Sequence, residues 1–341
     1  MKINKAELQV ALEKVKPGLA QKDLIEQATS FAFIGDRVVT YNDEISISHP
    51  VKGLGDMKGA IKAQALYEFL NKVKKDEIEL EQEENQVIIK AGRSKAGLIF
   101  ESEVKLPVEE IGEIGKWRKL PEGVVDALKL CYPCCTRDMS RPVLTCVHVK
   151  PDIVEATDSY QIIRYNLKGK IPRDGFLIPA TSVKELVKYD IKEIALGESW
   201  VHFRTEDETV FSARVVGGDF PDISKHLKLE GAEFSFPDAM KEALDRAIIF
   251  AKKSTSTGDI PTVTIDVKDG QMKLFATNEY GWFEERMKTQ HKDANFKFTI
   301  GIEFMISLFE RLKACKIDKE KIGFGGENWT HVIATMSSEE E

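Results

Sequence analysis

Leu8-Gln-Val-Ala-Leu-Glu-Lys-Val15 decides how this chain is read. Its apolar residues Leu8, Ala11, Leu12 and Val15 stand at i, i+3, i+4 and i+7, one stripe of a 3.6-residue helical period. The stripe returns as Val124, Ala127, Leu128 and Cys131, and again as Met240, Ala243, Leu244 and Ala247, each time displaced by 116 residues. Two landmarks return with it. Val38-Val-Thr-Tyr-Asn-Asp43 is echoed by Val154-Glu-Ala-Thr-Asp158 and Leu274-Phe-Ala-Thr-Asn278. The helical run Leu66-Tyr-Glu-Phe-Leu70 is echoed by Val183-Lys-Glu-Leu-Val187 and Met305-Ile-Ser-Leu-Phe309. A period this long matches a whole small domain, since solenoid units span only about 20–50 residues. Three similar domains are expected, at 1–117, 118–228 and 229–341.

Each copy predicts the same α+β order. A short strand leads into the striped helix; Pro17 and Pro133 end that helix in copies one and two, while copy three has Ile249 at the matching place. Two or three strands follow, divided by turns such as Gly35-Asp36 and Lys268-Asp-Gly270. A second helix comes next, with Thr181 or Ser182 as its expected cap in copy two. A closing hairpin completes each copy. The predicted layers are two helices on one side and antiparallel sheets on the other.

Composition narrows the classes. With 42% hydrophobic and 31% charged residues there is material for real cores, so disorder is not the expectation. No apolar stretch nears the roughly 20 residues of a membrane span, and Met1–Glu7 lacks a secretory apolar core. A cytoplasmic protein is expected. Cys131-Tyr-Pro-Cys134 has zinc-ligand spacing. The repeat argues for buried apolar cysteines instead, because Cys131 stands where Val15 and Ala247 do. No metal or cofactor is expected. The net charge of −7 speaks against coating nucleic acid by bulk attraction. Charge is nonetheless sorted: Glu77, Glu79 and Glu81 alternate with Ile78 and Leu80, giving one acidic sheet face, whereas the helical segments lean basic through Lys62, Lys72, Lys74 and Lys75, and through Arg311, Lys313 and Lys316. Basic helices lining a concave side would suit a passing polyanion.

Several segments together resemble a known family, the bacterial DNA polymerase III beta sliding clamps. Ile89-Lys-Ala-Gly-Arg-Ser-Lys95 is similar to the family's glycine-arginine-serine hairpin, and Ala156-Thr-Asp-Ser-Tyr160 to its Ala-Thr-Asp motif. Phe176-Leu-Ile-Pro-Ala180 and Ser212-Ala-Arg-Val-Val-Gly-Gly-Asp-Phe-Pro-Asp222 resemble later segments, so the likeness spans the chain. The resemblance implies a DNA-clamp fold and a homodimer, two chains closing head to tail into a ring around double-stranded DNA. Such a ring is a tether for DNA polymerase, placed by a clamp loader, and not an enzyme. It implies DNA-facing roles for Lys22, Arg93, Lys95, Arg137, Arg141, Lys252 and Lys253. It also implies a partner-peptide groove between domains two and three, formed by Leu144, Thr157, Ser159, Tyr160, Gln161, Ile162, Pro221, Lys225, Val332 and Met336. Two departures fall at that groove: the pair Tyr160-Gln161, and the tail Thr335-Met-Ser-Ser-Glu-Glu-Glu341. The chain is also short for the family and diverged in its first domain, which would suit a divergent clamp of phage or mobile-element origin.

Two rival classes are set against this. An enzyme would need a reactive constellation, yet the six histidines are scattered and neither a Walker loop nor a His-Glu-x-x-His motif occurs. An adaptor built from the same repeats, without DNA encirclement, is the alternative.

Overall fold

The computed structural model describes residues 1–55, 57–112, 114–171, 175–252, 260–309, 314–318 and 320–336. Copy one runs β1 (Lys2–Asn4), α1 (Lys5–Val15), β2 (Ser30–Ile34), β3 (Arg37–Tyr41), β4 (Ile45–Pro50), β5 (Lys58–Lys62), α2 (Ala63–Lys72), β6 (Glu77–Gln82), β7 (Gln86–Ala91) and β8 (Ser94–Ile99). Copy two runs β9 (Arg118–Lys119), α3 (Val124–Cys131), β10 (Cys146–Val149), β11 (Ile153–Thr157), β12 (Gln161–Asn166), β13 (Phe176–Pro179), α4 (Ala180–Leu186), β14 (Ile191–Leu196), β15 (Trp200–Thr205) and β16 (Val210–Arg214). Copy three runs β17 (Ala232–Ser235), α5 (Met240–Ala251), β18 (Thr262–Lys268), β19 (Gln271–Asn278), β20 (Gly281–Lys288), β21 (Phe296–Gly301), α6 (Ile302–Phe309), β22 (Ala314–Ile317), β23 (Lys321–Gly325) and β24 (Trp329–Ala334). The order βαββββαβββ thus occurs three times, with four strands between the helices where two or three were expected.

The repeated stripe is the reason. Leu8, Ala11, Leu12 and Val15 are buried on α1, as are Val124, Ala127, Leu128 and Cys131 on α3 and Met240, Ala243, Leu244 and Ala247 on α5. Pro17 and Pro133 sit in 3-10 turns directly after α1 and α3, whereas α5, with Ile249, continues to Ala251. Cys131 therefore packs as a core side chain. A shared turn follows the third strand of every copy. Asn42, Asp158 and Asn278 each accept, through Oδ1, the backbone N–H two residues on, at 3.2, 2.8 and 2.9 Å. The residue two positions past each eighth strand also makes the same isolated bridge, Glu101 to Ala60, Val216 to Leu177 and Met336 to Thr299.

The chain divides into two compact units, residues 1–133, 145–152 and 167–219 forming one and 134–144, 153–166 and 220–341 the other. The expected boundary at 117/118 falls at the start of β9, and that at 228/229 in the loop before β17. The units divide inside copy two because strands pair across copies. In the first unit, β5-β2-β3-β4 continues into β16-β15-β14-β9, with β1-β6-β7-β8 as a separate sheet. In the second, β11-β12 continues into β24-β23-β22-β17, with β20-β19-β18-β21 separate. The core of the second unit gathers α5, α6 and strands from both of its sheets.

Two expectations are corrected. Neither Thr181 nor Ser182 caps α4: its N-cap is Pro179 without a side-chain bond, and the Thr181 hydroxyl donates to Glu44 Oε2 at 2.9 Å. Among the described residues the helices are also not basic. Lys72 faces only Glu68 within α2, Lys5 and Lys14 are matched by Glu7 and Glu13 in α1, and Lys241 and Arg246 by Glu242 and Asp245 in α5. Lys62, Lys74 and Lys75 lie outside α2, Lys316 is on β22, and Arg311 and Lys313 lie outside the described residues. The acidic strand is as expected, with Ile78 and Leu80 buried and Glu77, Glu79 and Glu81 exposed on β6.

Candidate functional site

A groove of about 720 Å³ opens in the second unit, above the place where β12 meets β24. Its floor is apolar for a simple reason. Ile162 and Val332 are direct cross-strand partners in the antiparallel pair and face outward together. Leu144 and Pro221 extend that surface, and Ile223 stands beside them.

The polar wall is the turn from β11 to β12. Asp158 Oδ1 accepts the N–H groups of Tyr160 and Gln161 at 2.8 and 2.9 Å. Thr157 Oγ1 donates to Gln161 O at 2.7 Å and accepts from Ser159 N–H at 3.1 Å. Ser159 takes a left-handed φ of 82°, as Asp43 does at the matching turn of copy one. Behind this turn runs a buried relay. Gln161 Nε2 donates to Asp158 Oδ2 at 2.8 Å, leaving Oε1 to accept from His331 Nε2 at 2.9 Å. That fixes the histidine proton on Nε2. Cys134 Sγ lies 3.8 Å from the same nitrogen. The pair Tyr160-Gln161 therefore gives one exposed aromatic ring and one buried amide.

A second polar support holds the wall that carries Pro221. Arg164 and Glu155 are cross-strand partners, and the guanidinium Nε lies 2.8 Å from Glu155 Oε2. Arg164 Nη2 also donates to Ser224 Oγ at 3.1 Å, and Asp222 Oδ1 accepts Ser224 N–H at 2.9 Å. Glu155 is buried, so this ion pair is made largely away from water.

Leu144, Thr157, Ser159, Tyr160, Gln161, Ile162, Pro221 and Val332 all line this groove. Lys225 and Met336 do not: Lys225 lies exposed in the 3-10 turn Ser224–His226, and Met336 bridges to Thr299. Sequence reading missed Asp318, Glu320 and Lys321 on the turn into β23. Only strand register brings these to the groove, because Lys321 pairs with Ala334.

The residues expected to face DNA occupy separate loops and strand ends. Lys22, Arg93, Lys95, Arg137 and Lys252 are exposed. Lys252 Nζ lies 3.8 Å from Glu303 Oε1. Arg141 is engaged at the groove instead, with Nε 3.2 Å from Asp138 Oδ2 and Nη1 donating to Ser159 Oγ at 2.9 Å. Lys253 lies outside the described residues. No cluster of three or more metal-ligating side chains occurs among the described residues, and none of their helices is long and apolar enough to cross a membrane.

No family model and no curated protein sequence matches the chain. Solved structures do. A DNA polymerase III subunit beta sliding clamp from Pseudomonas aeruginosa, bound to griselimycin, is 16% identical with a TM-score of 0.85 over 99% of both chains. The beta subunit of the Streptococcus pyogenes DNA polymerase is 18% identical with a TM-score of 0.85, and the Bacillus subtilis sliding clamp 18% with 0.82, each over 99% of both chains. At these identities the likeness is one of fold, and over its whole length the chain has the fold of the bacterial DNA polymerase III beta sliding clamps.

Proposed function

We propose that this chain is a DNA sliding clamp, a non-enzymatic tether that closes around duplex DNA as a head-to-tail homodimer of three-domain chains. The observation that carries this reading is an incomplete cycle of strand pairs. The fourth strand of copy one pairs with the eighth of copy two, β4 with β16. The fourth strand of copy two pairs with the eighth of copy three, β12 with β24. Among the described residues, the fourth strand of copy three, β20, and the eighth of copy one, β8, end their sheets without such a partner. A second chain supplies the missing partner to each, and a heterologous contact of this kind makes a ring where the rotation closes.

The register follows from the two pairs already formed. Arg214 N–H donates to Glu44 O and Ala334 N–H to Tyr160 O, both at 2.8 Å. By the repeat, Ile99 N–H meets Tyr280 O of a second copy, which sets Trp282 opposite Gly97 and Glu284 opposite Lys95. The apolar residues exposed there are those a junction would bury: Ile99 at 79%, Tyr280 at 75% and Trp282 at 66% exposure. In this register Lys95 serves the junction before it serves DNA.

DNA contact in such a ring is with phosphates and is loosely held, which permits sliding. The groove at β12–β24 then receives short peptide segments of a DNA polymerase and a clamp loader, with apolar anchors on Ile162 and Val332. Negative-stain electron microscopy at high protein concentration tests the assembly. Rings with an open centre are expected; compact particles without a hole would contradict the proposal.

A further inference from the structure

Fourth and eighth strands meet at matching places in the repeat, and one pair of residues at each place differs sharply in size. Ser46 lies opposite Ser212 where β4 meets β16, and Ile162 lies opposite Val332 where β12 meets β24. The same register sets Trp282 of β20 opposite Gly97 of β8 in a second copy. Directly opposed residues of an antiparallel pair share one face of the sheet and pack on each other. Small thus meets small, medium meets medium, and the largest side chain meets a residue that has none.

Among the described residues, nothing in the chain itself calls for a glycine at 97. Its φ is not left-handed, so the backbone there suits any residue. A Cβ at this position would meet only Gln86, whose Oε1 stands 2.6 Å away at the end of an exposed side chain that can turn aside. Inside a strand, glycine gives up packing and ordering, and it often marks the close approach of another group. Trp282 is the reverse case, a large ring left exposed at the edge of its sheet. An aromatic ring laid over a strand glycine on the neighbouring strand answers both needs.

Charge adds less here. Lys95 falls opposite Glu284, but Glu284 is already held by Lys273 Nζ at 2.8 Å and by Arg286 Nε at 3.0 Å. Size is left to decide which edges join. Trp282 against Val332 would overfill the shared face, and Gly97 against Ser46 would leave bare backbone.

We propose that Trp282 and Gly97 form a size key: the indole of one copy covers the bare backbone of the other. The key accepts a second copy of this chain and rejects a clamp that carries a branched side chain at the place of Gly97. Selection of this kind works by exclusion as much as by attraction. It rests on the ring reading given above and adds the choice of partner to it.

Sedimentation velocity of the full chain over a concentration series tests the key. Wild type is expected to dimerise, and Gly97→Val, standing in for a foreign clamp, should weaken the dimer at least tenfold. Combining Gly97→Val with Trp282→Ile reproduces the Ile162–Val332 pair and should restore the dimer to within a few fold of wild type. An equimolar mixture of the two single variants should do the same, because each of its two junctions is then matched. Gly97→Ala keeps the test available if valine prevents folding: it should weaken the dimer severalfold, although alanine suits a strand better than glycine does. A wild-type dimer that Gly97→Val and Gly97→Ala leave unchanged overturns the key and leaves the ring standing. So does a folded double variant that stays monomeric. A wild type that is monomeric at every concentration removes the ring reading, and the key falls with it.

Discussion

His49 and His202 are buried in the first unit, and burial pushes both imidazoles down to about 4, with Lys14 adding to the effect at His49. Each Nδ1 meets a hydroxyl at 2.8 Å, Thr209 Oγ1 for His49 and Ser212 Oγ for His202. The unfolded chain protonates these histidines near pH 6.5, so it binds more protons than the folded chain between about pH 6.5 and 4. Their contribution is therefore complete above pH 6.5 and is lost as pH falls through that window. By pH 5 the loss should be about 2 kcal/mol per histidine. Urea midpoints at pH 7.5 and 5 measure it, and equal midpoints would contradict neutral burial. Asp207 behaves differently: burial alone would raise its pKa, but hydrogen bonds from Lys14, Thr205 and Thr209 hold its carboxyl well below the usual range. It stays charged throughout that experiment. In the second unit, Gln161→Leu removes the link between Asp158 and His331. A stability loss of about 1–3 kcal/mol is expected from the two hydrogen bonds removed, together with peptide affinity reduced at least tenfold. Thermal melts and the peptide titration read both; full affinity would show that the turn holds itself.

At the scale of the element, the junction strands carry the argument. Trp282→Asp puts a charge where β20 would be covered by β8 of a second copy, and sedimentation velocity should then show only the 38.4 kDa chain. Lys95→Glu and Glu284→Lys should each weaken the dimer severalfold, as exposed ion pairs are worth only about 0.2–1 kcal/mol, and the double variant should restore it. A dimer indifferent to all three changes would place the interface elsewhere. The helices were legible because Leu8, Ala11, Leu12 and Val15 recur at one spacing, and a 3.6-residue stripe has one structural meaning. The cross-copy pairing was not. Ser212 and Val332 reach Ser46 and Ile162 through strand register, which no local pattern encodes. For the same reason Ile162 and Tyr160 could be assigned to the groove from a resemblance in one stretch, while Asp318 and Lys321, on a turn without a motif, could not. The supposed basic helices failed because Lys74 and Lys75 follow α2 without belonging to it, and helix ends are the least certain part of any sequence reading.

For the whole molecule, the order βαββββαβββ occurs three times, β4 pairs with β16 and β12 with β24, and among the described residues β8 and β20 end their sheets. Closure by a second chain would convert it into a tether whose hold on DNA is topological. An adaptor with the same fold would bind proteins through the groove and gain nothing from DNA shape. Contacts to phosphate weaken steeply with salt, whereas a closed ring on a circle has no end to leave by. The most direct measurement loads the labelled protein onto a nicked circular plasmid with a clamp loader and ATP, raises the salt, and then linearises half the sample. Retention on the circle with rapid loss from the line is the predicted result; equal loss from both would contradict encirclement and leave the fold without this function.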